Sequence, residues 1–185
     1  MRRDEKGLLH LSAVVFGPWS AALGHDMQWI YARLPTDVVR SKMERIEEDG
    51  AWYLRFDCLV PPREHREAIQ LEVSSMSACS CAPEIERRLL EKADGVIFVV
   101  DTAIPNEFSL TEQHDILEGI HPNTVVYQFD DAGYDGNATR IYSPKEICEK
   151  LGVTDVRFNA TRASRGEGVV PTLALLVREM MLKLP

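Results

Sequence analysis

The chain has 185 residues, of which 45% are hydrophobic and 27% charged, and its formal net charge at pH 7 is -8. This composition is typical of a single folded domain and excludes a disordered or fibrous chain. The acidic balance disfavours nucleic-acid binding, which draws its affinity from phosphate neutralisation by lysine and arginine. We therefore expect a protein partner and no nucleic-acid partner.

The sequence shows no membrane-spanning or secretory pattern. Its longest apolar runs, residues 8–16 and 96–100, are shorter than the roughly 20 residues that a transmembrane helix needs. The first six residues carry charges of both signs and no small-residue cleavage site follows them. We therefore expect a cytoplasmic protein without a transmembrane segment.

The cysteines and histidines do not form a recognisable ligand pattern. The four cysteines are expected to be reduced thiols, as is usual in the cytoplasm. Cys79 and Cys81 have the spacing of half a metal site, but the five histidines are scattered without paired ligand spacing. We therefore predict no metal site.

Hydrophobic periodicity predicts an alternation of strands and helices. Continuous or alternating apolar runs indicate the strands, and apolar residues at helical spacing indicate the helices. In chain order, the predicted elements are a strand at 8–16, a helix at 27–34, strands at 51–60 and 68–73, a helix at 84–92, a strand at 95–101, a helix at 109–119, a strand at 124–129, a helix at 144–151, a strand at 156–158 and a helix at 171–184.

Capping residues mark the ends of two of these helices. Ser109 with Glu112, and Ser143 with Glu146, have the spacing of capping boxes, in which a hydroxyl and a carboxylate each satisfy a free backbone N–H. Gly152 is the predicted stop of the second of these helices.

This order predicts an α/β fold with a mostly parallel six-stranded sheet, one antiparallel hairpin strand and helices on both faces. Residues 95–101 should lie mid-sheet, because they are apolar throughout. Residues 1–185 are expected to form one domain, with 1–7 as a flexible N-terminus. Ligands of such sheets bind at the carboxyl ends of the strands.

Several framework segments resemble one protein family. Residues 14–18 read Val-Val-Phe-Gly-Pro and are followed by Gln-Trp-Ile-Tyr at 28–31. Phe-Asp-Cys-Leu occupies 56–59, Ala-Asp-Gly-Val-Ile-Phe-Val-Val-Asp occupies 93–101, and Arg-Gly-Glu-Gly-Val occupies 165–169. Together these segments resemble bacterial gliding-motility small GTPases of the MglA type. The resemblance implies a P-loop-NTPase-like small GTPase domain over nearly the whole chain.

The phosphate-binding loop that the resemblance implies has lost its contacting residues. Counted from Gly17, the positions of the final Gly-Lys-Ser/Thr hold Ala22, Leu23 and Gly24. Leucine cannot donate a charge-assisted hydrogen bond to a phosphate. We also expect Asp26 at the start of the next helix, where its carboxylate would occupy the positive end of the helix dipole.

Both switch elements are degenerate by the same comparison. Glu48 stands where the resemblance places a magnesium-binding threonine. Ser77, Ala78 and Cys79 stand where it places a Pro-Gly-Gln element, and none of them can orient an attacking water as glutamine does. We therefore predict no catalytic residue.

The guanine-recognition motif Asn-Lys-x-Asp corresponds to Phe129, Asp130, Asp131 and Ala132, with a one-residue shift possible. Asp130, Asp131 or Asp135 could accept a hydrogen bond from a base, so base recognition stays open.

Two cations, Arg162 and Arg165, lie in the loop that would face a base or ribose. A solvated loop is favoured over an anion site there.

These losses predict a pseudo-GTPase that binds no cofactor and presents residues 44–60 and 74–92 to a protein partner. The resemblance suggests a Roadblock-type partner or a polarity or motility complex. One alternative is a divergent NTPase whose pocket was rebuilt around Arg162, Arg165 and residues 130–135. Another is a structural subunit that uses an apolar patch with Trp19 and Trp52.

Overall fold

The computed structural model describes residues 2–5, 7–18, 22–62, 67–78, 83–103, 107–131 and 142–183. Within these ranges the chain forms nine strands in one sheet and five α-helices. The strands are β1 (Arg2–Arg3), β2 (Leu9–Pro18), β3 (Val39–Arg40), β4 (Glu44–Glu48), β5 (Ala51–Val60), β6 (Ile69–Ala78), β7 (Gly95–Asp101), β8 (Val125–Asp130) and β9 (Arg157–Thr161). The helices are α1 (Ala22–Arg33), α2 (Pro83–Lys92), α3 (Glu107–Ile120), α4 (Pro144–Leu151) and α5 (Val169–Leu182), with a 3-10 helix at Ala163–Arg165. None of the described helices is long and apolar enough to cross a membrane.

The sheet is mixed and mostly parallel, as predicted. Its order is β3-β5-β6-β2-β7-β8-β9, and the five strands from β6 to β9 in this order run parallel to their neighbours. Numbered along the chain, those five follow the doubly wound order 2-1-3-4-5. β5 is antiparallel to β6, which confirms the predicted hairpin, and β7 lies mid-sheet between β2 and β8.

The predicted number of six strands is wrong, because three short strands join the six that the pattern indicated. β1 pairs with β2, whereas β3 and β4 both pair with the outer edge of β5. β4 is mostly exposed and rich in charge, as is typical of an edge strand, so it carries no hydrophobic pattern. Asp49 and Gly50 join β4 to β5 with φ values of 49° and 80°. An Asp-Gly pair is a strong hairpin signal, and it could have indicated β4.

Helices cover both faces of the sheet. Alternate residues of β2 point to opposite sides: Ala13 and Val15 pack with α1 and α5, while Val14 and Phe16 pack with the layer of α2, α3 and α4. The two hydrophobic cores therefore lie on either side of the same central strands, as parallel strands buried on both faces require.

The helix signals gave one correct and one wrong boundary. Ser143 Oγ accepts from the Glu146 backbone at 3.3 Å, the Glu146 carboxylate accepts from the Ser143 backbone at 2.8 Å, and Gly152 ends α4 with φ 68°. Ser109, by contrast, is the third residue of α3, which begins at Glu107. Residues three apart are also neighbours inside a helix, so the Ser109–Glu112 spacing fits an interior position equally well.

The N-terminal segment, predicted to be flexible, contains β1. Arg2 pairs with His10 and Arg3 with Leu9. The Asp4 carboxylate accepts from the Leu8 backbone at 2.9 Å and so supports the turn between β1 and β2.

Candidate functional site

The parallel strands reverse their winding between β2 and β7, and their carboxyl ends form the crevice in which such sheets bind ligands. Gly17 lies at this point. A Cβ atom on Gly17 would lie 2.3 Å from the Val99 carbonyl oxygen, so the close approach of β2 and β7 requires glycine there.

The helix that follows has no lysine, and its one arginine, Arg33, lies in the last turn, while burial raises the pKa of Asp130 and the charge of His25 in the first turn opposes this increase. Ala22 begins α1, and Leu23, at the predicted position of a phosphate-binding lysine, is 2% exposed and packs in the core between α1, α5 and the sheet. Gly24 is exposed, and no atom lies within 4 Å of where its Cβ would be. Leu23 is therefore a core residue that contributes neither charge nor a hydrogen bond.

The predicted position of Asp26 is wrong. It is the fifth residue of α1, no acidic residue lies in the first turn, and the Asp26 side chain is fully buried. Its Oδ2 accepts from Gln128 Nε2 of β8 at 2.8 Å, while Oδ1 has no hydrogen-bond partner among the described residues. Burial raises its pKa to about 7, with a smaller increase from Asp130 and a decrease from the Gln128 hydrogen bond. Asp26 is therefore a buried group of the second turn and does not act as a cap.

Asp130 supports the loop between β9 and α5. It is buried at the end of β8, and its Oδ1 accepts from Ala163 N at 2.7 Å and from Thr161 Oγ1 at 3.1 Å. Burial raises the pKa of Asp130, and these two hydrogen bonds oppose the increase. One of the two Asp130 oxygens that could accept from a base is thus already bonded to the protein.

Two neighbouring residues at the predicted base-recognition positions, Phe129 and Asp131, also contact other parts of the protein. Phe129 is a core residue whose ring lies 5.5 Å from that of Phe158. Asp131 accepts from Arg162 at 2.9 Å, and Arg162 also lies 3.9 Å from Glu167. The first of the two candidate anion-binding arginines is therefore paired with Asp131, which follows β8, and with Glu167 of its own loop, while Arg165 is exposed.

Four carboxyl groups gather at this end of the sheet, and we refer to them as the acidic edge: Asp26, Asp101, Asp130 and Asp131. Asp101 and Asp130 are partners in the register of β7 and β8, and the alternation of side chains along these strands places both on the side of the sheet that α1 covers. Asp26 belongs to α1 itself. Burial raises the pKa of Asp101, although its Oδ1 accepts from Ala103 N at 2.8 Å. An edge with this composition favours cations or neutral groups over phosphate.

Trp29 holds the loop after β9 against α1, a role that the sequence patterns did not indicate. Gly166 has φ 68°, and a Cβ atom there would lie 2.5 Å from the Trp29 ring. The Arg33 guanidinium lies 4.1 Å from the Trp29 ring centroid and donates to the Gly166 carbonyl at 3.4 Å. Glycine therefore allows this close contact without displacement of the Trp29 ring.

Glu48, the residue at the predicted first switch position, contacts another element of the fold. Glu48, the last residue of β4, forms an ion pair with Arg88 of α2. Ser77 and Ala78 are the last two residues of β6. Cys79, Ala132, Asp135 and Trp19 lie outside the described residues.

One group with metal-ligand atoms close together occurs in the described part of the chain, away from the acidic edge. Ligand atoms of His114, Asp115 and Glu118 on α3 lie within 4.8 Å of one another. The His114 ring shares a 2.9 Å hydrogen bond with the Tyr127 hydroxyl, and the two acidic residues are exposed. A helical turn brings these three residues together whether or not an ion is bound, so the group by itself indicates no metal.

Comparison with known proteins gives no assignment for this chain. No protein-family model matches the sequence, and a search of curated proteins found no match.

Proposed function

We propose that the chain is a small-GTPase-like domain that neither binds nor hydrolyses a nucleotide and that acts by binding a protein partner. The sequence resemblance to MglA-type GTPases supports this proposal, and so does a doubly wound sheet with one antiparallel hairpin strand. The observation that carries it is Leu23, which lies in the core at the position of the phosphate-binding lysine.

Leucine in place of lysine at position 23 removes a large contribution to the free energy of binding an anion. Charge-assisted hydrogen bonds contribute roughly 1.5–3 kcal/mol each to binding, and a nucleoside triphosphate relies on several of them. Here the predicted lysine position is apolar, Arg162 is paired with Asp131, and the carboxyl groups of the acidic edge lie at the same end of the sheet. From the described residues, a bound phosphate would not gain donors equivalent to the hydration that it loses.

The partner surface proposed here is the exposed face of the β4–β5 hairpin. Trp52 is 49% exposed, the Arg45 guanidinium lies 4.7 Å from its ring centroid, and Arg45 pairs with Glu47 at 2.9 Å. Tryptophan and arginine are the side chains that most often dominate binding energy at protein interfaces. The resemblance suggests a Roadblock-type protein or a polarity or motility complex as the partner.

The Glu48–Arg88 ion pair joins this hairpin to α2. In nucleotide-dependent switches the corresponding segments are ordered by a γ-phosphate and magnesium. A protein cation in contact with Glu48 offers an alternative means of holding the two segments together. The surface would then be presented in one state without a ligand.

Affinity capture tests this proposal. The tagged full chain serves as bait in a lysate of the native organism, beside Trp52→Ala and the control Phe158→Ala. Phe158 is 51% exposed and lies on the opposite edge of the sheet, so the two variants remove similar exposed rings. We expect wild type and Phe158→Ala to retain a specific protein that Trp52→Ala loses, with no effect of added GTP and magnesium. Capture that survives Trp52→Ala, or that requires GTP, would contradict the proposal.

A further inference from the structure

An apolar pocket of about 310 Å³ lies at the opposite end of the sheet from the acidic edge. It opens between the end of α1, the carboxyl-terminal part of β5, the amino-terminal part of β6 and one side of α5 along most of its length. We propose that this pocket binds the chain of a medium-length aliphatic carboxylate, whose carboxylate group is received by Arg178. This inference is independent of the proposed function, because it uses none of the same residues.

The walls of the pocket suit a hydrocarbon chain. Leu173, Val177 and Met181 follow one another on one face of α5, and the buried residues Cys58 and Leu71 form the floor. Burial and the neighbouring Asp57 raise the pKa of the Cys58 thiol to about 11, so the thiol is an uncharged part of the wall. Of all the lining residues, two are charged, and the rest are apolar.

The two charged residues indicate which head group fits. Glu67 is already paired with Arg3 at 3.1 Å, which offsets its charge. Arg178 is exposed and forms no ion pair or hydrogen bond with any described residue. The mouth of the pocket therefore offers one cation without a described partner, and this favours an anionic head group.

The volume sets the length of the chain. Ligand pockets begin at about 300 Å³, and a water molecule occupies about 30 Å³ in the liquid. The pocket thus holds roughly ten groups of that size. A carboxylate with roughly eight to ten carbons matches this space, and each buried methylene favours binding.

Calorimetric titration of the full chain with sodium decanoate, below its micelle concentration, tests the assignment. Decyltrimethylammonium has the same chain with the opposite charge and is titrated in parallel. We expect saturable one-to-one binding of decanoate and binding of the cationic compound that is at least fivefold weaker. Absence of saturable decanoate binding, or equal affinity for the two compounds, would overturn the proposal.

Two variants locate the ligand. Ala174→Trp places a bulky ring at an exposed lining position and should lower decanoate affinity at least tenfold. Arg178→Gln should lower it about fivefold, in line with a partly exposed charge pair. The control Arg87→Gln, on the other face of the sheet, should leave affinity unchanged. Unchanged affinity in both pocket variants would refute this location.

A measurement on the unmodified protein covers the case in which Ala174→Trp does not fold. With methyl-labelled methionine, decanoate should shift the resonance of Met181, which lines the pocket, and leave that of Met76 in place. Met76 packs with Tyr53 and Ile85 in a separate cluster. A shift of Met76 alone, or of neither, would contradict binding in this pocket.

Discussion

Asp26 illustrates how burial changes the chemistry of a single carboxyl group. The side chain is fully buried, it has one hydrogen bond from an uncharged donor, and no described cation bonds to it. Because an ionised carboxylate loses its hydration there, the folded state favours the protonated form and the pKa rises to about 7. Ionising Asp26 near neutral pH therefore opposes folding.

This gives a pH-dependent prediction for Asp26→Asn. In the unfolded chain the carboxyl ionises near its ordinary value of 3.8, so the cost of burying the charge is absent below about pH 4 and complete above about pH 7. Asparagine avoids that cost while it keeps the shape of the side chain. We expect Asp26→Asn to raise the free energy of unfolding by roughly 2–4 kcal/mol at pH 8 and by much less at pH 5. Urea denaturation at the two pH values measures both.

The control for this experiment is Asp155→Asn, which removes an exposed carboxylate. Its effect on stability should be small and similar at both pH values. If Asp26→Asn were destabilising at pH 8, or if its effect did not grow between pH 5 and pH 8, the account of Asp26 as an uncompensated buried acid would be wrong.

At the scale of single residues, the sequence showed which side chains are present more reliably than it predicted their places in the fold. The sequence alone showed that position 23 holds leucine and no lysine. It predicted the start of α1 at Met27, whereas the helix begins at Ala22. Gly24, His25 and Asp26 have weak helix propensity, and the apolar spacing that signals a helix starts only after them. The misplaced helix start led directly to the wrong position for Asp26.

Among the elements, the loop between β9 and α5 depends most closely on one residue. Gly166 and Gly152 both have φ 68°, a conformation that side chains with a Cβ adopt at a cost. They differ in their surroundings, because a Cβ on Gly166 would overlap the Trp29 ring, whereas no atom lies within 4 Å at Gly152. The pair therefore separates backbone strain from steric overlap.

We predict that Gly152→Ala lowers the free energy of unfolding by roughly 1 kcal/mol through backbone strain alone. Gly166→Ala should lower it by a further 1–3 kcal/mol or so, because the Trp29 ring must move. Urea denaturation of the two variants measures the difference. Equal decreases in the free energy of unfolding of the two variants would show that the contact between Trp29 and Gly166 does not contribute to stability.

The sequence predicted interior elements more accurately than edge elements. The bounds of β5 and β7 match the predicted strands at 51–60 and 95–101, because their side chains are patterned by burial on the sheet faces. β4 was missed, since an exposed edge strand needs no apolar residues. Its contact with α2 through Glu48 and Arg88 joins residues 40 positions apart, and a local pattern does not encode such a pair.

On the scale of the whole molecule, the alternation of strands and helices predicted the α/β class and the mostly parallel sheet. The contents of the crevice could not be predicted in the same way. Gln128 and Asp26 are 102 positions apart and meet because α1 packs on one face of the sheet. Ala163 and Asp130 are 33 positions apart and meet because β9, which leads to Ala163, pairs with β8. The sequence resemblance predicted which residues the crevice lacks, and the structure shows which side chains lie there.

Nucleotide binding is the property that tests the central claim most directly. Isothermal titration of the full chain with GTP, GDP and ATP, each with magnesium, should give no heat of binding beyond dilution. Thermal unfolding should likewise be unchanged at millimolar nucleotide, whereas a ligand at a hundred times its Kd would stabilise the fold by about 2.7 kcal/mol. Binding of any of the three nucleotides at micromolar or tighter Kd would contradict the account and favour a rebuilt, nucleotide-binding crevice.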